Sequence, residues 1–310
     1  MNCRICNSAI IKEKITAREM LNGTRLPFIY FTCAECLTVQ IESTDLDMTK
    51  YYNENYYSLS DKIQKKNRLT YLRNAAAILG KINLIGNILE LIFPIYKEYK
   101  LCANLININS RILDIGCGNG DFLKILYSLG FKDLTGIEPY LTKSIEYNSN
   151  FKIQKTEIDA LDDSFDLIRL HHVFEHVSDP IKTLQSVYKN LSSSGTVVLT
   201  IPIADYIYNT YKENSYILQA PHHFHLFTLN GITRLIQSCG FKIQRVVRNA
   251  RGISNWIYIS ELWKYNITAD ESIHQPNPTI TLMQKISFRL QESKLIWNKQ
   301  GDNVTLIFTK

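Results

Sequence analysis

From Arg111 onward the chain alternates short apolar runs with longer amphipathic stretches. Runs that are apolar on both faces read as buried strands, and stretches of helical period read as the connections between them. The pattern predicts strands at Arg111–Ile115, Leu134–Ile137, Phe151–Gln154, Asp166–Leu170, Thr196–Ile201, Phe241–Val247 and Val304–Thr309. Helices are expected after Asp121, Leu141, Pro180 and Thr228, with two more, Asn255–Lys264 and Thr281–Lys294, inside a helical insertion over 251–302. Strand–helix alternation of this kind specifies an α/β fold with a seven-stranded, mostly parallel sheet, here over residues 106–310. Ahead of it, Leu26–Thr32 and Leu37–Ile41 read as two short strands in a small module spanning 1–45. Residues 46–105 begin with tyrosines (Tyr51, Tyr52, Tyr56, Tyr57) and continue as two helices, Asp61–Leu79 and Ile82–Tyr99, a helical connector.

Composition supports a folded chain: 45% of its 310 residues are hydrophobic and 21% charged, outside the range of disordered sequences. The net charge of +6 permits an anionic partner without requiring one. The most apolar stretch, Ile78–Ile95, is broken by Lys81, Asn83, Asn87 and Glu90, so no membrane span is expected. No apolar leader follows Met1, and a cytoplasmic location is the expectation. Four of the seven cysteines form two Cys-x-x-Cys pairs, Cys3/Cys6 and Cys33/Cys36. Each pair makes a tight knuckle, and two knuckles complete the four-sulfur tetrahedron that suits Zn²⁺. A structural zinc held by Cys3, Cys6, Cys33 and Cys36 in a zinc-ribbon-like module is therefore expected, with no open position for catalysis.

The run Ile112-Leu113-Asp114-Ile115-Gly116-Cys117-Gly118-Asn119-Gly120-Asp121 carries an apolar strand into an acid, then alternating glycines, then a helix. Glycines there permit a tight turn and the close approach of a ligand. A second strand ends in Glu138, where an acid can accept both ribose hydroxyls of a nucleotide. Dinucleotide oxidoreductases favour a third glycine one residue later than this chain has it. The segment Asp114–Gly120 with Glu138 resembles the first two motifs of class I S-adenosylmethionine-dependent methyltransferases. That resemblance implies a Rossmann-like methyltransferase sheet binding S-adenosylmethionine through Asp114, Gly116, Cys117, Gly118, Gly120, Glu138, Asp159 and His172.

Two further segments are similar to one broad group in that family. Asp163–Ile168 followed by His171–Pro180 resembles its fourth strand and the helix start beside the methyl donor, with His172 lining the pocket and Glu175 and His176 fixing the turn. Pro221–Thr228 resembles a run that precedes a helix capped here by Thr228. Its histidines His222, His223 and His225 have no carboxylate nearby in sequence, so packing is expected, or a catalytic or substrate-binding part led by His223. The absence of Asn-Pro-Pro-Tyr weighs against methylation of an adenine amine. Over its whole length the chain resembles bacterial surface-polysaccharide and nucleotide-sugar methyltransferases with an N-terminal four-cysteine module. The function this implies is methyl transfer to a small sugar-linked acceptor, with His223, His172 and His225 as base candidates. Two other readings compete: an RNA methyltransferase using the zinc module for RNA recognition, and a non-catalytic donor-binding or zinc scaffold protein. Nucleic acid is the less favoured partner, because Lys and Arg are not clustered beyond short runs such as Lys62–Arg68.

Overall fold

A computed structural model of the protein describes residues 2–52, 101–269, 271 and 280–310. The two helices expected within the connector, and Tyr56 and Tyr57, lie outside these residues. Among the described residues, no helix is long and apolar enough to cross a membrane.

The chain begins with strands β1 (Ile11–Arg18), β2 (Pro27–Cys33) and β3 (Val39–Ile41). Then follow β4 (Arg111–Ile115), helix α1 (Asp121–Ser128), β5 (Asp133–Ile137), β6 (Ile145–Asn148), β7 (Phe151–Gln154) and β8 (Phe165–His171). Helix α2 (Pro180–Asn190) leads to β9 (Leu191–Pro202), α3 (Tyr206–Tyr211), β10 (His225–Leu226), α4 (Leu229–Ser238) and β11 (Lys242–Asn249). The described chain closes with α5 (Ile253–Lys264), α6 (Leu282–Trp297) and β12 (Asn303–Thr309). The large sheet runs in the order β11-β12-β9-β8-β4-β5-β7-β6. It holds the seven expected strands and one more. The extra strand, β6, pairs antiparallel to β7 and takes the place of the helix expected after Leu141. Its residues Glu146, Tyr147 and Asn148 are exposed, so it is a polar edge strand with no apolar period to announce it.

The chain divides into two compact units. The first comprises Met1–Tyr51, His172–Lys182 and Thr200–Leu306, and the second Tyr52–His171, Thr183–Leu199 and Ile307–Lys310. In the second unit β4 lies between β5 and β8, parallel to both, and β5 is parallel to β7. Ile112, Leu134, Phe151, Ile153 and Leu167 from these strands bury a common core with Phe122, Leu123, Ile125 and Leu126 of α1. The buried residues of α1 recur at helical spacing, so the helix presents one apolar stripe to the sheet.

In the first unit β1, β2 and β3 form an antiparallel meander. A fourth strand, β10, joins its edge, with His225 opposite Gln40 and Leu226 opposite Val39. The N-terminal meander thus takes its last strand from a distant part of the sequence. Thr228 caps α4 by accepting from the Gly231 N–H at 3.0 Å, and its hydroxyl donates to the Cys36 carbonyl at 2.7 Å.

Candidate functional site

The two knuckles come together. Cys3 Sγ lies 3.5 Å from Cys36 Sγ and Cys6 Sγ 3.6 Å from Cys33 Sγ. All four sulfurs fall within 4.8 Å of one another, and all four thiols are free of disulfides. Metal–sulfur bonds of ~2.3 Å in a tetrahedron set sulfurs about 3.8 Å apart, so the donor set fits one ion of zinc's size and softness. Cys3 also accepts from Gln40 Nε2 at 2.9 Å and from the Ile5 N–H at 3.4 Å, bonds that favour the thiolate a metal requires.

The glycine turn lies in the second unit. Gly116, Gly118 and Gly120 all have positive φ, at 64°, 52° and 75°. A Cβ at Gly120 would in addition overlap Ile153 Cδ1, so glycine is demanded there twice over. The Gly116 and Cys117 N–H groups bond the Ile137 carbonyl, at 2.8 and 3.1 Å. Behind the turn, buried Glu138 accepts from the Gly118 N–H and the Tyr140 N–H, both at 3.2 Å. Burial pushes its pKa up, and those two N–H groups oppose the rise. A carboxylate offers about four lone-pair sites, so two acceptor positions remain for a ribose diol.

Asp114 is 1% exposed and opposes Arg169 of β8 in register. Arg169 Nη1 donates to Asp114 Oδ1 at 2.8 Å, and its guanidinium lies 4.4 Å from the Phe122 ring centroid. A buried charge without such a partner would not survive folding. Cys117 is half-buried, its thiol pushed up by burial and by the acids Asp114 and Glu138. Asp159 is exposed and accepts from Ser186 Oγ at 3.1 Å.

The histidines lie in the first unit. His172 has φ +53°, a left-handed conformation that costs a non-glycine residue energy and often marks function. Its Nδ1 stands 3.2 Å from Glu175 Oε1 and its Nε2 3.4 Å from Asn303 Nδ2. Because the carboxylate only accepts and the amide nitrogen only donates, the ring carries its proton on Nδ1 and its lone pair on Nε2. Burial alone would raise the Glu175 pKa, but the His172 hydrogen bond and the nearby His176 and His223 rings bring it down to about 2. The other expected histidines are enclosed. His223 Nδ1 donates to the Ile217 carbonyl at 2.7 Å, and its backbone carbonyl accepts from Tyr30 Oη at 3.0 Å. His225 Nε2 accepts from Arg4 Nε at 2.9 Å. Burial lowers the pKa of His222 and of His223 to about 3. Contrary to the sequence expectation, a carboxylate does serve this group: Glu175, with His176 and His223, places ligand-type atoms within 4.8 Å of one another.

Several partners escaped the sequence reading. Arg169 sits inside an apolar strand, where a lone charge is itself the signal that a buried partner exists. Arg4, between the first two cysteines, links the knuckle to His225, and its Nη2 donates to the Ile41 carbonyl at 2.6 Å. Asn303 carried no motif. The tyrosines of the Pro202–Phe227 loop are engaged within the first unit. Tyr206 Oη bonds Gln291 at 3.0 Å, Tyr211 Oη bonds Glu261 at 2.8 Å, and Tyr216 packs on Trp263 at 5.5 Å between centroids.

Comparison with known proteins bears on the second unit most directly. Two curated relatives are named tRNA U34 carboxymethyltransferase. The one from Wolinella succinogenes is 32% identical over 114 residues, covering 33% of this chain and 41% of the relative. The one from Campylobacter hominis is 24% identical over 160 residues, covering 48% of this chain and 56% of the relative. The chain thus spans about half the length of the curated relatives it matches. Among solved structures, an S-adenosylmethionine-dependent methyltransferase from Mesorhizobium loti aligns at TM-score 0.45 and 16% identity, over 68% of this chain and 95% of that one. The plantazolicin methyltransferase BpumL aligns at TM-score 0.45 and 16% identity, over 85% and 93%. Residues 83–246, just over half of the chain and including both the glycine turn and the histidine segments, match the family described as "Methyltransferase domain", and the chain belongs to that family.

Proposed function

We propose that the protein is an S-adenosylmethionine-dependent methyltransferase acting on a hydroxyl of a small, sugar-linked acceptor. S-adenosylmethionine supplies a methyl group on a sulfonium, which an acceptor takes by in-line displacement. The observation that carries the reading is Glu138, buried behind a glycine turn with two acceptor positions left over. Gly116, Gly118, Gly120 and Cys117 give the donor its backbone surface, Glu138 its ribose acceptors, and Asp114 the fixed negative charge at the strand end. Asp159 completes the donor set. A hydroxyl acceptor gains from a base that removes its proton as the bond to carbon forms. His172 fits that task, with its lone pair on Nε2 and Glu175 holding the opposite nitrogen. His223 and His225, held by carbonyl and guanidinium partners, support the wall of the acceptor segment rather than proton transfer. Residues 1–45 act as the zinc-held module, 46–105 as the connector and 106–310 as the donor domain, with 251–302 as its insertion.

A second reading is favoured by the names of the curated relatives, which modify a tRNA uridine. Labelled donor offered with a nucleotide-sugar panel and with total tRNA separates the two. Label in the sugar fraction supports the first reading. Label in tRNA alone replaces it with the second. Donor binding without turnover on either would leave a binding protein.

A further inference from the structure

We infer that Glu175, His176 and His223 form a second metal site, for a divalent transition ion, separate from the four-cysteine site. One ligand atom from each residue lies within 4.8 Å of the others. Glu175 is fully buried. Its Oε1 meets His172 Nδ1, but its Oε2 has no hydrogen-bond partner. A buried carboxylate oxygen left unpaired is costly, and folds that keep one generally put a cation on it. His223 donates from Nδ1 to the Ile217 carbonyl at 2.7 Å, which fixes its lone pair on Nε2. His176 Nδ1 lies 2.8 Å from the His222 carbonyl. A backbone carbonyl gripping one ring nitrogen is the usual support of a metal-ligating histidine. The two rings meet edge to face, 4.7 Å between centroids and 80° between planes, so they converge instead of stacking.

Two imidazoles and one carboxylate suit zinc, iron or nickel, whereas magnesium and calcium seek oxygen-rich sets. Three protein ligands leave coordination positions open, unlike the four thiolates. His176 is partly exposed, which gives an ion a way in. The inference does not depend on the acceptor or on His172 acting as a base.

The test uses the full chain, stripped of metal and titrated with Co²⁺. Cobalt on four thiolates shows sulfur-to-metal charge transfer, and cobalt on two imidazoles and a carboxylate does not. Two equivalents are expected, only one of them with the charge-transfer band. Glu175→Gln, and separately His176→Asn, is expected to abolish the second equivalent and leave the band intact. Saturation at one equivalent showing the band overturns the inference, because Glu175 is then balanced by its histidines alone. Two equivalents that persist in either folded variant overturn it as well. Should neither variant fold, cobalt anomalous scattering from crystals of the unaltered protein decides. A peak among Glu175, His176 and His223 supports the site, and its absence there removes it.

Discussion

Glu138 spends two of its lone pairs on its own backbone neighbours, Gly118 and Tyr140, and so is held rigid before any ligand arrives. Charge-assisted hydrogen bonds contribute about 1.5–3 kcal/mol each. Glu138→Ala is therefore expected to weaken S-adenosylmethionine binding at least ~10-fold by calorimetry, with the fold intact. The same residue sets an acid limit. Only the ionised carboxylate accepts from both ribose hydroxyls, and burial raises its pKa. Donor affinity should accordingly decline on acidification sooner than an ordinary glutamate would dictate, and the variant should lose that dependence. His172 is tested by turnover: His172→Ala should lower kcat by roughly 10²–10⁴-fold while donor affinity stands. An unchanged kcat would remove it from proton transfer.

At the scale of elements, the four-cysteine module is bound into the segment that carries His222–His225. β10 extends the meander through β3, the Ile41 N–H bonds the Phe224 carbonyl at 2.9 Å, and Thr228 reaches the Cys36 carbonyl. Cys33→Ser with Cys36→Ser should therefore abolish one metal equivalent and lower amide-exchange protection at Val39–Ile41 and Phe224–Phe227. Protection in β4 and β5, whose core in the second unit is independent of the cysteines, should hold. Equal protection in both regions after metal loss would refute the linkage. The sheet strands were legible in the sequence because each is an apolar run long enough to be buried on both faces, and the glycine turn because only glycine tolerates its backbone. β10 was not, since two residues carry no period. β6 was not, since its exposed Glu146-Tyr147-Asn148 resembles a loop. The partnerships Asp114–Arg169 and Glu175–His223 were illegible for a different reason: they join separate segments, and sequence spacing encodes only local neighbours.

At the scale of the whole molecule, stability should carry an acid-favouring contribution from Asp302. This residue is 1% exposed and accepts from the Tyr206 and Ile207 N–H groups that open α3, at 3.0 and 2.5 Å. Burial raises its pKa to about 7; the Ile207 and Tyr206 N–H groups pull the other way, Asp205 adds to the rise, and Arg248 opposes it. A folded-state pKa above the unfolded one means the contribution is full below the ordinary aspartate range and is lost as pH rises through about 7. Asp302→Asn removes the titration. Its stability relative to the natural protein should rise between pH 5 and 8, with a slope of at most ~1.4 kcal/mol per pH unit. Urea unfolding at several pH values reads this directly, and a flat difference would show that Asp302 does not titrate in that window.

The pairing of β3 with β10, together with the Arg4–His225 bond, also bears on how such a chain can be recombined. The first 45 residues are not a detachable cassette. A chimera that imports them from a related protein leaves His225 facing a foreign partner and β10 a foreign edge, so it should assemble only when the counterpart of His222–Thr228 is imported with them. Across descendants, these two stretches should pass together, each new change in one licensing a matching change in the other.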